Sequence, residues 1–169
     1  GLKKYPEEKI EINNSKIIIG GVLFPKEDDM DNDDLYNELG LLDGWHASQG
    51  IYIYRENRLI KWGGWCDLTK NGRDRWRSEE KFKRCRVYLK YESDLDSEFR
   101  PNVQKTKSII PHYLRHKIAE YCEEIRNESS KVVRKKQINE AILNNKNTEI
   151  SLIQIKEGIP HPSDISRSI

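Results

Sequence analysis

Residues Gln49 to Trp65 constrain this chain more than any other stretch. The run QGIYIYRENRLIKWGGW alternates apolar and polar positions, stops at the polar tetrad Arg55-Glu56-Asn57-Arg58, and resumes with Leu59-Ile60. Alternation rich in Ile and Tyr predicts a strand on each side, and Glu56-Asn57 supplies the turn chemistry of a hairpin. One face of such a hairpin has to be buried against another layer.

The rest of the chain supplies that layer. Lys9 to Asn14 reads as a short strand with a turn at Asn13-Asn14. Lys16 to Phe24 is a second apolar run, in which Gly20-Gly21 predicts a bulge or a bend before Pro25 ends it. Residues 26–34 form an acidic loop, and Asn32-Asp33-Asp34 caps a short helix through Gly40. Residues 67–80 lack periodicity and read as an exposed loop around Gly72. Cys85 to Tyr91 alternates again, and Ser93 to Pro101 is a polar connection anchored by Leu95 and Phe99. A long helix starts at Pro111. Its apolar stripe of Leu114, Ile118, Tyr121, Cys122 and Ile125 ends near Lys136 or breaks at residues 127–130. A second amphipathic piece carries Ile138, Ala141, Ile142 and Leu143. Ile150 to Ile155 reads as a late strand, and the tail from Gly158, with Pro160 and Pro162, as a linker. The order predicts an α+β fold, a mostly antiparallel or mixed sheet covered on one face by helix.

A net charge of +2 on 169 residues is too small to imply nucleic-acid binding by itself. It hides an asymmetry: residues 26–43 are acidic, whereas 70–90 and 115–136 are rich in Lys and Arg. Cys66, Cys85 and Cys122 show no paired spacing, which argues for a reduced, cytoplasmic compartment rather than a disulfide framework. No apolar run approaches the ~20 residues a membrane helix needs, so no membrane partner is expected. The opening Gly1-Leu2-Lys3-Lys4 is that expected of an excised fragment.

Three segments together resemble the second domain of GHKL ATPases, especially bacterial relatives of the MORC and MutL proteins. They are Trp45 to Trp65, Arg86 to Phe99, and Asn102 to Pro111, where Val-x-Lys-Thr (Val103 to Thr106) leads into a proline-started helix; the likeness extends over residues 10–136. It implies a transducer domain over 1–146, with the fold of the second domain of ribosomal small-subunit protein five, and a late strand and linker over 147–169. It also implies Mg-ATP held mainly by another domain, ATP-driven homodimerisation, and DNA as the eventual substrate in restriction or defence. The helical Asn, Asp-x-Gly and Gly-rich lid of a GHKL nucleotide site have no counterpart in this sequence, nor has a P-loop. The nucleotide-binding domain is therefore expected upstream of Gly1, and this chain alone is not expected to be an enzyme.

On that resemblance Lys105, or alternatively Lys107, reaches the γ-phosphate, where an ammonium neutralises charge on the transferring phosphoryl group. Gln104 and Thr106 flank it and either bond phosphate oxygens or cap the loop. Arg73, Arg75, Trp76 and Arg77 form a basic, aromatic-containing loop suited to nucleic acid, with Trp76 as its exposed contact; a plain solvated loop is the alternative. Trp62 and Trp65 read as core or domain-interface anchors, and Asn57 as a turn residue. His112 and His116 stand i, i+4 without a third ligand, and the acidic run 26–34 lacks the glycine and terminal Glu of a calcium loop, so no metal site is expected. The competing reading of the whole is a self-contained α+β module that binds nucleic acid or another protein.

Overall fold

The computed structural model describes residues 1–30, 33–41, 43–99 and 110–157. Two hairpins flank one central strand. Strand β1 (Lys3–Ile12) turns at Asn13-Asn14 into β2 (Ser15–Leu23), and β3 (Gly50–Arg55) turns at Glu56-Asn57 into β4 (Arg58–Lys61). Strand β5 (Cys85–Tyr91) runs between them, antiparallel to β2 and parallel to β3, giving the order β1-β2-β5-β3-β4. The fold is α+β with a mixed five-stranded sheet. Helices α1 (Asp33–Leu39), α2 (Gly44–Ser48), α3 (Asp96–Phe99) and α4 (Arg115–Glu157) complete it.

Local chemistry explains the turns. Glu56 and Asn57 both have left-handed backbones (φ 50° and 62°), as the two-residue turn that matches strand twist requires. The irregularity expected at Gly20-Gly21 lies on the partner strand. Tyr5 pairs with Gly21 and Glu8 with Ile19, so Pro6 and Glu7 together oppose Gly20. Pro6 has no amide hydrogen to donate, and a bulge in an edge strand accommodates it.

Alternation sorts the sheet into two faces. Ile17, Ile19 and Leu23 of β2, Ile51 and Ile53 of β3, and Cys85, Val87, Leu89 and Tyr91 of β5 are buried on one of them. Helix α4 meets that face with Ile118, Tyr121, Cys122 and Ile125, all buried. The Tyr121 hydroxyl donates to the Pro6 carbonyl at 2.7 Å, and the buried Ser129 hydroxyl to the Lys81 carbonyl at 2.6 Å. Gly21 sets how closely helix and sheet approach, since a Cβ there would overlap Ile125 Cδ1.

The chain divides into two compact units, Gly1–Ser130 and Lys131–Ile169. In the second, the described residues are helical through Glu157, and Ile138, Ile142 and Leu143 are exposed. The late strand expected over Ile150 to Ile155 does not form. No Gly or Pro interrupts the sequence from His112 to Glu157, and a short Ile-rich run satisfies a helix as readily as a strand. The break expected at residues 127–130 is also absent, because Ser129 and Ser130 both hydrogen-bond backbone carbonyls without leaving the helix. Among the described residues no helix is long and apolar enough to cross a membrane.

Two predictions follow from this packing. Gly21→Ala should cost about 1–3 kcal/mol by overpacking against Ile125, and Ile125→Val in the same chain should recover part of the loss, read as urea midpoints. Burial pushes the Cys66 and Cys85 thiols up from 9.0 to about 11, and Cys122 higher still. Below pH 9 folded and unfolded chains both keep these protons. Between 9 and about 11 the unfolded chain releases protons the folded chain retains, so stability should fall as pH rises through that window. Urea melts at pH 8 and pH 10 (values on either side of about the ordinary thiol pKa) measure the change.

Candidate functional site

The segment between β4 and the 3₁₀ turn Glu80–Phe82 is folded rather than merely solvated. Cys66 and Asp67 are left-handed (φ 51° and 54°) and turn the chain directly after the buried Trp65. Leu68 is fully buried, the Trp76 amide donates to the Leu68 carbonyl at 2.8 Å, and Thr69 and Arg75 form an antiparallel bridge. The tip between them reverses through Asn71 and Gly72, at φ 54° and 70°.

This loop and the start of α4 enclose a cleft of about 390 Å³. Arg73 and Arg75 enter from the loop; His112, Arg115 and His116 enter from the helix start. Asp67 is the acidic group in the lining, 3.7 Å from Arg75. His116 Nδ1 lies 3.6 Å from Glu120, and Arg115 Nε donates to the Ile110 carbonyl at 3.3 Å. Arg73 has no ion pair among the described residues. The surplus positive charge and the ring nitrogens suit a phosphate or another anion rather than a metal. Among the described residues no group of His, Cys, Asp and Glu could hold a metal ion.

Trp76 is half-buried, packed against the core rather than fully exposed. Its ring meets Trp65 edge-on, with centroids 5.7 Å apart. The Arg126 guanidinium lies between Trp65, Trp76 and Phe82, at 4.4, 4.2 and 3.7 Å from their ring centroids. Burial among these rings lowers the Arg126 pKa to about 10. The aromatic ring is thus committed to a cation from its own chain. Of the four residues singled out for nucleic acid, Arg73 and Arg75 meet in the cleft, Arg77 is exposed outside its lining, and Trp76 belongs to the cage. Trp65 is buried, whereas Trp62 is 43% exposed.

Lys105, Lys107, Gln104 and Thr106 lie outside the described residues. The elements that lead into and out of their segment are well fixed. Arg55 grips Asp96 with two bonds, Nε to Oδ1 at 2.6 Å and Nη2 to Oδ2 at 2.7 Å, and each partner holds the other in its charged form. Glu56 accepts from the Ser93 amide at 2.8 Å, which lowers its pKa. Phe99 stacks on Tyr91 with centroids 4.1 Å apart. Tyr113, just before α4, donates to Glu98 Oε2 of α3 at 2.9 Å. That bond links the two flanks of residues 100–109, one residue along from the cleft-lining His112.

Sequence reasoning passed over His112, Arg115 and His116 as partners of the loop, although their i, i+3, i+4 spacing marks a single helix face. It also passed over Gln49. This amide is fully buried, donates to the His46 and Glu79 carbonyls, and accepts from the Glu79 amide and the Trp65 indole. No family model and no curated protein matches the chain.

The cage yields a prediction. Trp76→Ala should cost about 1–3 kcal/mol, because it strips one wall from a buried cation, whereas Arg77→Ala should stay within about 0.5 kcal/mol of the parent chain. Thermal melts of the two variants compare them directly.

Proposed function

We propose that this chain is the non-catalytic transducer domain of a GHKL-type ATPase, close to the bacterial MORC-like and MutL-like proteins. On this reading Mg-ATP sits on a nucleotide-binding domain of the same polypeptide, and this domain lends it a lysine. The observation that carries the reading is the Tyr113–Glu98 hydrogen bond: it ties together the flanks of the Val-x-Lys-Thr segment, and His112, next to Tyr113 in sequence, lines a basic cleft. A short segment held at both ends delivers a side chain at low entropic cost.

Lys105, with Lys107 as the alternative, neutralises charge on the γ-phosphoryl group, while Gln104 and Thr106 bond phosphate oxygens. Hydrolysis removes the phosphate that holds the segment, and the change passes to α4 through Tyr113 and His112, which start the same helical stretch. The output is a DNA-related activity, in restriction or defence, carried out by an ATP-driven homodimer in the cytoplasm. Arg73, Arg75 and Arg115 are the groups that would meet a phosphate backbone.

Those same arginines favour the second reading, a self-contained nucleic-acid-binding module. It requires strongly salt-dependent DNA binding by this chain alone, weakened by Arg73→Ala. The transducer reading is tested by steady-state ATP hydrolysis of the parent polypeptide. Lys105→Ala should reduce the rate by about tenfold or more with the fold intact, as loss of a positioned charge does. A parent that hydrolyses ATP at the same rate with Lys105→Ala and with Lys107→Ala sinks the lysine assignment. A parent without hydrolysis puts the binding module ahead.

A further inference from the structure

A nucleic-acid backbone is met by cations in a patch or stripe, whereas the cations of the 67–75 loop and the helix start converge on one hollow. Its volume of about 390 Å³ lies in the range of small-ligand sites. Both walls are fixed. The Thr69–Arg75 bridge and the bond from the Trp76 amide to Leu68 hold the loop, and buried Leu114 and Ile118 hold the helix start. The tip is open, because nothing lies within 4 Å of where a Cβ on Gly72 would stand.

The charges inside are unequally committed. Arg75 lies 3.7 Å from Asp67, the acidic group of the lining, and the two together carry no net charge. Arg73 and Arg115 form no ion pair among the described residues. Arg115 commits only Nε, to the Ile110 carbonyl at 3.3 Å, which leaves its two terminal nitrogens for a ligand. His116 places Nδ1 3.6 Å from Glu120, which is outside the lining, and keeps Nε2; His112 adds a second ring. With the histidines counted neutral, two guanidinium charges stay unmatched, one on each wall. They are matched by an anion that carries two charges on oxygens shared among several donors.

We propose that this cleft binds a phosphate monoester as its dianion, the phosphate lying between Arg73 and Arg115 with the two histidine rings as further partners. A phosphodiester, the group inside a nucleic-acid strand, brings one charge and leaves one guanidinium unmatched. Free nucleotides and the phosphorylated end of a strand both present the monoester. The inference rests on the residues of the cleft and not on the ATPase reading, which the hydrolysis assay tests separately.

Thymidine 5′-monophosphate and its 5′-methyl ester test this on the 169-residue chain, followed by NMR shifts at about pH 8, where the monoester is dianionic. The monophosphate should bind saturably and shift the Asn71, Gly72 and Arg73 amides and the His112 and His116 rings. It should bind about tenfold tighter than the methyl ester, the margin expected of one further charge-assisted contact. Arg73→Ala should weaken it by about tenfold, whereas Arg77→Ala, in the same loop but outside the lining, should change it by less than about twofold. A second variant guards against misfolding. Asn71 is exposed at φ 54°, a backbone that Asp also tolerates, so Asn71→Asp adds a negative charge to the lining with the fold kept. It should weaken binding and leave the rest of the spectrum unchanged. Oligothymidylate with and without a 5′-phosphate separates the two sources. Cleft shifts that require the 5′-phosphate include strand ends among the ligands, and monophosphate binding without them confines the site to free esters. Cleft binding of the oligonucleotide that is equally tight without its 5′-phosphate would overturn the proposal. So would equal affinity for monophosphate and methyl ester, equal losses with Arg73→Ala and Arg77→Ala, unchanged affinity in Asn71→Asp, or the absence of saturable shifts.

Discussion

A single buried amide holds the crossover that makes this sheet possible. Strand β3 pairs in parallel with β5, so the chain between them has to leave one edge and return to the middle. Gln49 stands at the start of β3 and bonds both sides of that excursion, the Trp65 indole near its beginning and the Glu79 backbone near its end. Backbone bonds run alongside: the Gly64 amide donates to the Gln49 carbonyl, and the Ile51 amide to the Gly64 carbonyl, each at 2.8 Å. Gly50, at φ 108°, makes room, since a Cβ there would overlap the Gly64 carbonyl. A buried amide is stabilising only when all its valences are met, and here they are.

The two faces of the sheet follow from that placement. With β5 in the middle, its odd residues from Cys85 to Tyr91 are buried, Cys85 against Ile125 of α4 and Tyr91 against Phe99 of α3, and its even residues Arg86 and Tyr88 face the other way. The first face is closed by close packing, as the contact between Gly21 and Ile125 illustrates. On the second face Tyr88 lies across Gly20 and reaches Glu7 at the β1 bulge, which leaves an aromatic surface open beside α1. One face of this small sheet is thus closed by helix packing, and the other leaves a groove beside α1.

The described flanks of residues 100–109 show a comparable division. Arg55, Glu56 and Tyr91 lock the approach through α3, and Tyr113 ties the exit back to Glu98. The basic cleft lies between a loop held by the Arg126 cage and the start of a helix whose register is set by core packing. The lining of the cleft is thus drawn from two well-fixed elements.

The sequence by itself determined the local elements. Alternation with a polar turn made the 49–65 hairpin and β5 legible, and the stripe from Leu114 to Ile125 announced the buried face of α4. Those signals are short-range, so one chain carries them without its neighbours. The run Ile150 to Ile155 misled because a few apolar residues satisfy two periods, and only an uninterrupted helix decides between them. Tertiary structure alone decided which side chains meet. Trp76 looked exposed because nothing nearby in sequence covers it; Arg126, fifty residues on, does. The cleft joins residues 67–75 to residues 112–116, and the groove joins α1 to β3 and β5. Such sites depend on strand order and helix docking, long-range pairings that no local pattern encodes.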